Sequence, residues 1–369
     1  MKIVNGLVFN ENHQMENKDL CFQNGAIAEN DNSGDVYDAT GCYVLPGFID
    51  THIHGANGVE FFATKAQNSD VSVATEYLAK EGVTSILATL STNTKEQIEN
   101  NVKRIYDQHD EHILGFHLEG PFINPVRKGG MIEKYIQTAN IELAEITQKL
   151  SGNTVKIMTL APEMPNALET IEGLTKLGIK VSMGHSDATL KEAKKAIQNG
   201  ACRLTHTFNA MRPFNHREPG VLGCALTDDR VDCELICDLH HVSAEGIKIV
   251  VATKGIDKVT MISDALFFCG MPEGVYNTGE RTLTVENGFA KLPNGTISGS
   301  ACSLAVGAKN MFNLGFKPEE IAVMASVNPA RAAGCANRGE LKNGYRADII
   351  VLDKDFNVKS VFVKGEQIR

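Results

Sequence analysis

Two histidines placed two residues apart, His52 and His54, stand at the end of the apolar run Tyr43-Val44-Leu45-Pro46-Gly47-Phe48-Ile49. In an extended strand side chains alternate faces, so both imidazoles point the same way and can grip one cation. Taken alone, an H-x-H fits a pair of hydrogen-bonded core histidines equally well. Five further residues, His117, Glu119, His185, His206 and Asp264, lie at or near the ends of other short apolar runs. Drawing side chains from the ends of separate strands is how an α/β barrel builds a site at its C-terminal mouth. Imidazole with carboxylate suits Zn2+ or Fe2+ better than Mg2+ or Ca2+, which favour oxygen shells. The residues suffice for one or two ions, with His52, His54 and Asp264 on one, His185 and His206 on the other, and Glu119 between them. His117 shares a face with Glu119 but sits one layer deeper, which favours a supporting or core role over direct ligation.

Bringing these groups together takes a repeated strand-and-helix pattern. Strands are expected at 44–51, 84–90, 113–119, 155–160, 180–185, 202–206, 232–238 and 259–264. Helical patterns at 71–81, 95–107, 139–150, 167–177, 189–199 and 244–254 alternate with them. The order predicts an α/β chain with a closed parallel (β/α)8 barrel of the TIM type. Two more helices are expected at 303–314 and 318–326, the second opened by Pro318. Residues 1–46 read as short strands broken by turns such as Gln23-Asn24-Gly25 and Asn32-Ser33-Gly34, and 336–369 has the same texture. The two ends are expected to meet in one small β-sandwich domain, leaving 47–335 as the catalytic barrel. The stretch from Gly270 to Gly279 reads as a mobile loop over the mouth or as a surface turn.

At 369 residues and 43% hydrophobic content the chain can bury a large core and carry a second, smaller domain. A net charge of −9 argues against a nucleic-acid or anionic-membrane surface. Met1-Lys2-Ile3-Val4 lacks the sections of a signal peptide, and no apolar run reaches the roughly 18 residues of a membrane span. A soluble cytoplasmic protein is the expectation. Nine cysteines, an odd number without a C-x-x-C pair, are expected to be reduced and mostly buried.

Longer motifs run through nearly the whole chain. They are P-G-F-I-D-x-H-x-H-G at 46–55, H-L-E-G-P at 117–121, T-L-A-P-E at 159–163, S-M-G-H-S-D-A at 182–188 and T-H-x-F-N-A-M at 205–211. H-R-E-P-G at 216–220, S-D-A at 263–265, S-G-S at 298–300 and V-N-P-A-R-A-A-G at 327–334 follow. Together they resemble the amidohydrolase superfamily and, within it, the N-acetylglucosamine-6-phosphate deacetylases. The resemblance implies metal-dependent hydrolysis of the acetamide of a small-molecule amino sugar phosphate. Many binuclear relatives bridge their metals with a lysine that ends strand four. Here that strand ends Thr159-Leu160-Ala161-Pro162-Glu163, so Glu119 is expected to bridge instead. Asp264 is implied as the base that takes a proton from water and passes it to the departing amine.

For the substrate, the resemblance carries Asn209 and Ala210 onto the sugar phosphate and Arg217 and His241 onto phosphate or hydroxyl groups. Ile297 and Gly299 go to the acetamide side. The arginine of relatives can come from the neighbouring subunit, which implies a homodimer. One departure concerns Lys128-Gly129-Gly130-Met131, where the family reads K-G-A followed by a polar residue, often histidine. Met131 cannot donate a strong hydrogen bond to substrate, which leaves the galactosamine epimer or another amino sugar phosphate open. Two rival readings are a cyclic-amide hydrolase or deaminase on the same barrel, and a barrel kept as an assembly scaffold. N-A-M, R-E-P-G and the missing lysine speak against the first, and the complete ligand set against the second.

Overall fold

The structure is a computed structural model that describes residues 1–30, 34–62, 69–278 and 280–369. Its centre is a sheet of eight parallel strands, Phe48–Ile53, Val83–Leu90, Ile113–Glu119, Val155–Leu160, Lys180–Met183, Ala201–Leu204, Asp232–Ile236 and Val259–Ile262, each bonded to the next in chain order. The gap between strands eight and one is bridged just past the last strand. Asp264 N donates to His52 O at 2.9 Å, and Ser263 N to Asp50 Oδ1 at 3.4 Å. The expected (β/α)8 barrel is therefore the fold.

Helices Ser72–Lys80, Lys95–Tyr106, Glu142–Leu150, Ala167–Lys176, Leu190–Gln198 and Ala244–Lys254 return the chain between strands. The second shows why they form. Thr94 caps it by accepting from Gln97 N, and Ile98, Val102 and Ile105 recur on one buried face. Thr189 and Glu192 close a reciprocal capping box at Leu190–Gln198. A seventh helix, Gly220–Thr227, was not foreseen. Its residues 220–225 are all buried and include two glycines, so it has neither an amphipathic period nor high propensity to announce it.

Three expectations need correction. The single strand at 44–51 is two elements, since Tyr43–Pro46 belongs to a peripheral sheet and the barrel begins at Phe48. Gly47 marks the joint, where a Cβ would stand 2.2 Å from Thr84 Oγ1. Several strands also stop earlier than expected, which leaves His185, His206 and Asp264 two residues beyond Met183, Leu204 and Ile262. Finally, the stretch read as a mobile loop is partly a strand. Gly274–Asn277 edges a four-stranded antiparallel sheet with Thr282–Glu286, Phe289–Lys291 and Ile297–Ser300. Buried Leu283 and Val285 alternate with exposed neighbours there. Gly279 lies outside the described residues, as do residues 32 and 33 of the turn expected at Asn32-Ser33-Gly34.

Both chain ends contribute to one six-stranded sheet, ordered Glu366–Gln367, Val358–Val363, Ile349–Leu352, Tyr43–Pro46, Leu7–Phe9, Met15–Asn17. A four-stranded sheet holds Ala26–Ala28, Leu20–Gln23, Lys2–Val4 and Val36–Asp38. Ile3, Phe22, Val44, Ile349 and Phe362 pack into the core these sheets share. After the barrel, helix Leu304–Asn313 is followed by Pro318–Ala322, which continues through a π-type turn at Val323–Val327 into Asn328–Ala333. All nine cysteines are free thiols. Among the described residues no helix is long and apolar enough to cross a membrane.

Candidate metal centre and substrate cavity

Glu119, the last residue of strand three, is the meeting point. Its Oε1 lies 3.0 Å from His185 Nε2, 3.1 Å from His206 Nε2 and 3.3 Å from His52 Nε2, while Oε2 lies 3.1 Å from His54 Nε2. Two triads result, His52 with His54 and Glu119, and Glu119 with His185 and His206, all buried. Asp264 Oδ1 completes the first, at 3.2 Å from His54 Nε2 and 3.6 Å from His52 Nε2.

The tautomers follow from the outer nitrogens. Each Nδ1 faces a group that can only accept: Glu234 for His52, and the carbonyls of Thr89, Arg127 and Asn209 for His54, His185 and His206. Each Nδ1 therefore carries the proton, and each Nε2 turns a lone pair inward. Lone pairs then face one another, as in the 3.0 Å approach of His185 Nε2 to His206 Nε2. His52 Nε2 and Glu119 Oε2 are buried without a hydrogen bond. A bound cation satisfies such an arrangement. Ligand atoms about 2.0–2.1 Å from a tetrahedral ion stand about 3.3 Å apart, close to the spacings here.

The protein's own charges also offset one another here. Burial alone would raise Glu119, but the neighbouring imidazoles hold it well below the usual carboxylate range. Burial opposes charge on His54, yet Asp264 and Glu119 push it up to about 9. His117, by contrast, is pushed down to about 3 by burial and by His52. It lies within reach of His52 and Glu234. Both its nitrogens are already bonded, Nδ1 to Thr51 O at 3.0 Å and Nε2 to Thr159 Oγ1 at 2.8 Å, so it braces strands and has no lone pair free for a cation. Burial also raises Asp50 to about 6. Its Oδ1 accepts from His52 N and Ser263 N, tying strand one to strand eight.

The backbone is bent to aim these groups. His185, His206 and Asp264 have φ of 47°, 28° and 51°, in the left-handed region, each costing about 1–3 kcal/mol. Surrounding bonds hold them there. For Asp264 these are its N–H to His52 O and Ser300 N to its own carbonyl, both 2.9 Å.

A cavity of about 450 Å³ opens over the triads, and Glu119, His185, His206, His54 and Asp264 line its floor. Asn209, Ala210, His241, Ile297, Gly299 and Met131 form part of its wall. Ser91 Oγ donates to Met131 Sδ at 3.0 Å, since a thioether can only accept. Arg217 is not brought in. It is exposed in the outward-turned loop before Gly220–Thr227, where its N–H bonds to Asn215 Oδ1.

Several residues of the site were missed by sequence reasoning. Glu234 supports His52, and Asp238 Oδ2 sits 2.6 Å from His241 Nδ1. Burial works against protonation of His241, but Asp238 raises its pKa. Arg127 and Arg281 also line the cavity. The first is held by Asp187 Oδ1 at 2.7 Å and the second by Gly130 O at 2.5 Å. A carboxylate flanked by Cys233 and Leu235 within a strand was the available signal for Glu234.

Comparison with known proteins agrees with this geometry. The model of the amidohydrolase family matches residues 43–368. N-acetylglucosamine-6-phosphate deacetylase of Lysinibacillus sphaericus is 35% identical over 380 residues, covering 100% of this chain and 97% of the relative. N-acetylgalactosamine-6-phosphate deacetylase of Escherichia coli O157:H7 is 34% identical over 332 residues, covering 88% and 87%. A solved N-acetyl-D-glucosamine-6-phosphate deacetylase mutant from Mycobacterium smegmatis, in complex with N-acetyl-D-glucosamine 6-phosphate, superposes with a TM-score of 0.92 at 29% identity, covering 100% and 99%. With the barrel, the two triads and these matches together, the chain belongs to the amidohydrolase family.

Proposed function

We propose that this chain hydrolyses the acetamide of N-acetylglucosamine 6-phosphate, giving glucosamine 6-phosphate and acetate. The observation that carries the reading is Asp264, set over two lone-pair-rich triads on the floor of a cavity large enough for a sugar phosphate. His52, His54 and Glu119 would hold one Zn2+ or Fe2+ and Glu119, His185 and His206 a second, with Asp264 completing the first. A bound cation of this kind supplies Lewis acidity, polarising a carbonyl and lowering the pKa of water from about 15.7 to about 7.

The protein's own part is positioning and proton transfer. Asp264 takes a proton from the attacking water and delivers it to the amide nitrogen as the C–N bond breaks, since an amine leaves poorly unless protonated. The water oxygen ends in acetate, and the transferred proton ends on the sugar amine. Asn209, Ala210 and His241 bind the phosphate and hydroxyl groups, the last as an imidazole made more basic by Asp238. Ile297 and Gly299 flank the acetamide, and Met131 faces the sugar without a hydrogen-bond donor. Arg217 reaches the phosphate of a neighbouring subunit's substrate, which makes the working form a homodimer. Residues 1–46 with 336–369 form the β unit and 47–335 the catalytic barrel, and the enzyme works in the cytoplasm on amino-sugar catabolism.

Met131 supports a second substrate, N-acetylgalactosamine 6-phosphate, because no donor stands at that position to select a hydroxyl orientation. The test is acetate release from both epimers and from unphosphorylated N-acetylglucosamine, on protein of measured Zn and Fe content. Turnover of the phosphorylated glucosamine substrate with little on the free sugar is expected. Turnover of the galactosamine epimer alone would reassign the substrate, and no turnover by metal-loaded protein would refute the substrate class.

A further inference from the structure

Of the four imidazoles that turn Nε2 toward Glu119, three hand their Nδ1 proton to uncharged main-chain carbonyls. His52 gives its proton to a carboxylate, Glu234 Oε2 at 3.0 Å. Glu234 is wholly buried on strand seven. Its Oε1 meets Arg203 Nη2 at 3.4 Å, and Arg203, on strand six, is itself 1% exposed. Arg203 Nε and Nη1 lack hydrogen-bond partners, Nη1 standing 3.9 Å from Asp232 Oδ2.

Burying a guanidinium so incompletely satisfied is costlier than filling the same space with an apolar side chain. What Arg203 supplies is the counter-charge that lets a carboxylate stand in the barrel core beneath His52. Toward the other triad Glu234 offers only a 3.4 Å approach to the main-chain N–H of His206, not to its ring. The two cation positions are thus built alike in their inner ligands and unlike in what stands behind them.

We infer that Glu234, backed by Arg203, is a positioning residue that strengthens the His52–His54 cation position selectively over the His185–His206 position. The inference rests on the metal-centre reading above. An imidazole whose N–H meets a carboxylate is a more basic and better-oriented donor than one bonded to a carbonyl, and losing such a partner weakens metal binding roughly 10–100-fold.

The test titrates metal-stripped protein with Co2+ against a chromophoric chelator while the visible bands of Co2+ report its coordination. In a His185→Asn background, which disables the second position, Glu234→Gln is expected to weaken the remaining Co2+ roughly 10–100-fold and to shift its bands. In a His52→Asn background, where the imidazole that accepts Glu234's support is gone, the same change is expected to leave Co2+ affinity within about threefold. The pair Arg203→Met with Glu234→Gln removes both buried charges together and is expected to show the same selective loss. Circular dichroism of the metal-free variants checks that the barrel has formed. Equal weakening in both backgrounds, or none in either, overturns the inference and leaves the metal centre standing. A parent chain that takes up no Co2+ overturns both.

Discussion

Replacing Asp264 by asparagine isolates one function from the rest of the site. The residue sits at φ 51°, a conformation asparagine tolerates better than other non-glycine residues, so the backbone bonds to His52 and Ser300 should survive. Side-chain volume is unchanged. Four imidazoles and Glu119 stay to hold metal, because their mutual contacts of 3.0–3.3 Å do not involve Asp264. What disappears is a group able to accept a proton and give it back. Positioned acid–base catalysis contributes about 100- to 10,000-fold, and Asp264 would serve in both directions. A fall in kcat of about 1,000- to 10,000-fold is therefore expected, equivalent to about 4–5.5 kcal/mol of barrel-imposed barrier lowering, with KM changed by less than about threefold. Acetate release is measured on the same sample whose metal content is determined by elemental analysis. Turnover within about tenfold of the parent at equal metal content would refute the role of Asp264 as proton carrier. Loss of one metal alongside activity would make it chiefly a ligand instead.

Three further outcomes test the surrounding scheme. Cation at about 1,000 times its Kd stabilises the native chain by about 4 kcal/mol, which for 369 residues raises the unfolding midpoint by about 5 °C, so a chelator that leaves the melting curve unmoved would contradict the metal centre. His117→Asn should retain the parent's metal stoichiometry yet lose about 2–4 kcal/mol in denaturant unfolding, since Thr51 O and Thr159 Oγ1 lose their partner; metal loss at unchanged stability would make His117 a ligand. For Arg217, subunits carrying Arg217→Ala are mixed and re-paired with subunits carrying Asp264→Asn. If the arginine acts across a two-fold interface, half of the re-paired dimers hold one intact site, and about a quarter of parental activity returns; no recovery would count against the shared site.

The parts of this molecule that could be read before its structure share a physical cause. His52 and His54 were legible because a strand's period of two makes H-x-H a statement about one face, whatever the surrounding fold. Glu119, His185, His206 and Asp264 were legible because each ends an apolar run, and a βα order sends all such ends to one mouth. Arg203 and Glu234 escaped for the converse reason. In a parallel barrel both faces of a strand are covered, so apolar and polar residues no longer alternate, and a charge amid Cys202, Leu204, Cys233 and Leu235 carries no mark of which way it points. Only barrel closure shows that these two opposite charges, on adjacent strands, meet beneath His52. Gly220–Thr227 was hidden for a similar reason, being buried nearly all round. The sheet over 274–300 was a different case, since Asn287-Gly288 between two short strands is a hairpin signal that stood in the sequence and went unread. Burial on every side erases periodicity, and here it does so directly behind the residues that would hold the cations. A search for such supports should begin with ionisable residues inside barrel strands and ask whether the next strand carries the opposite charge.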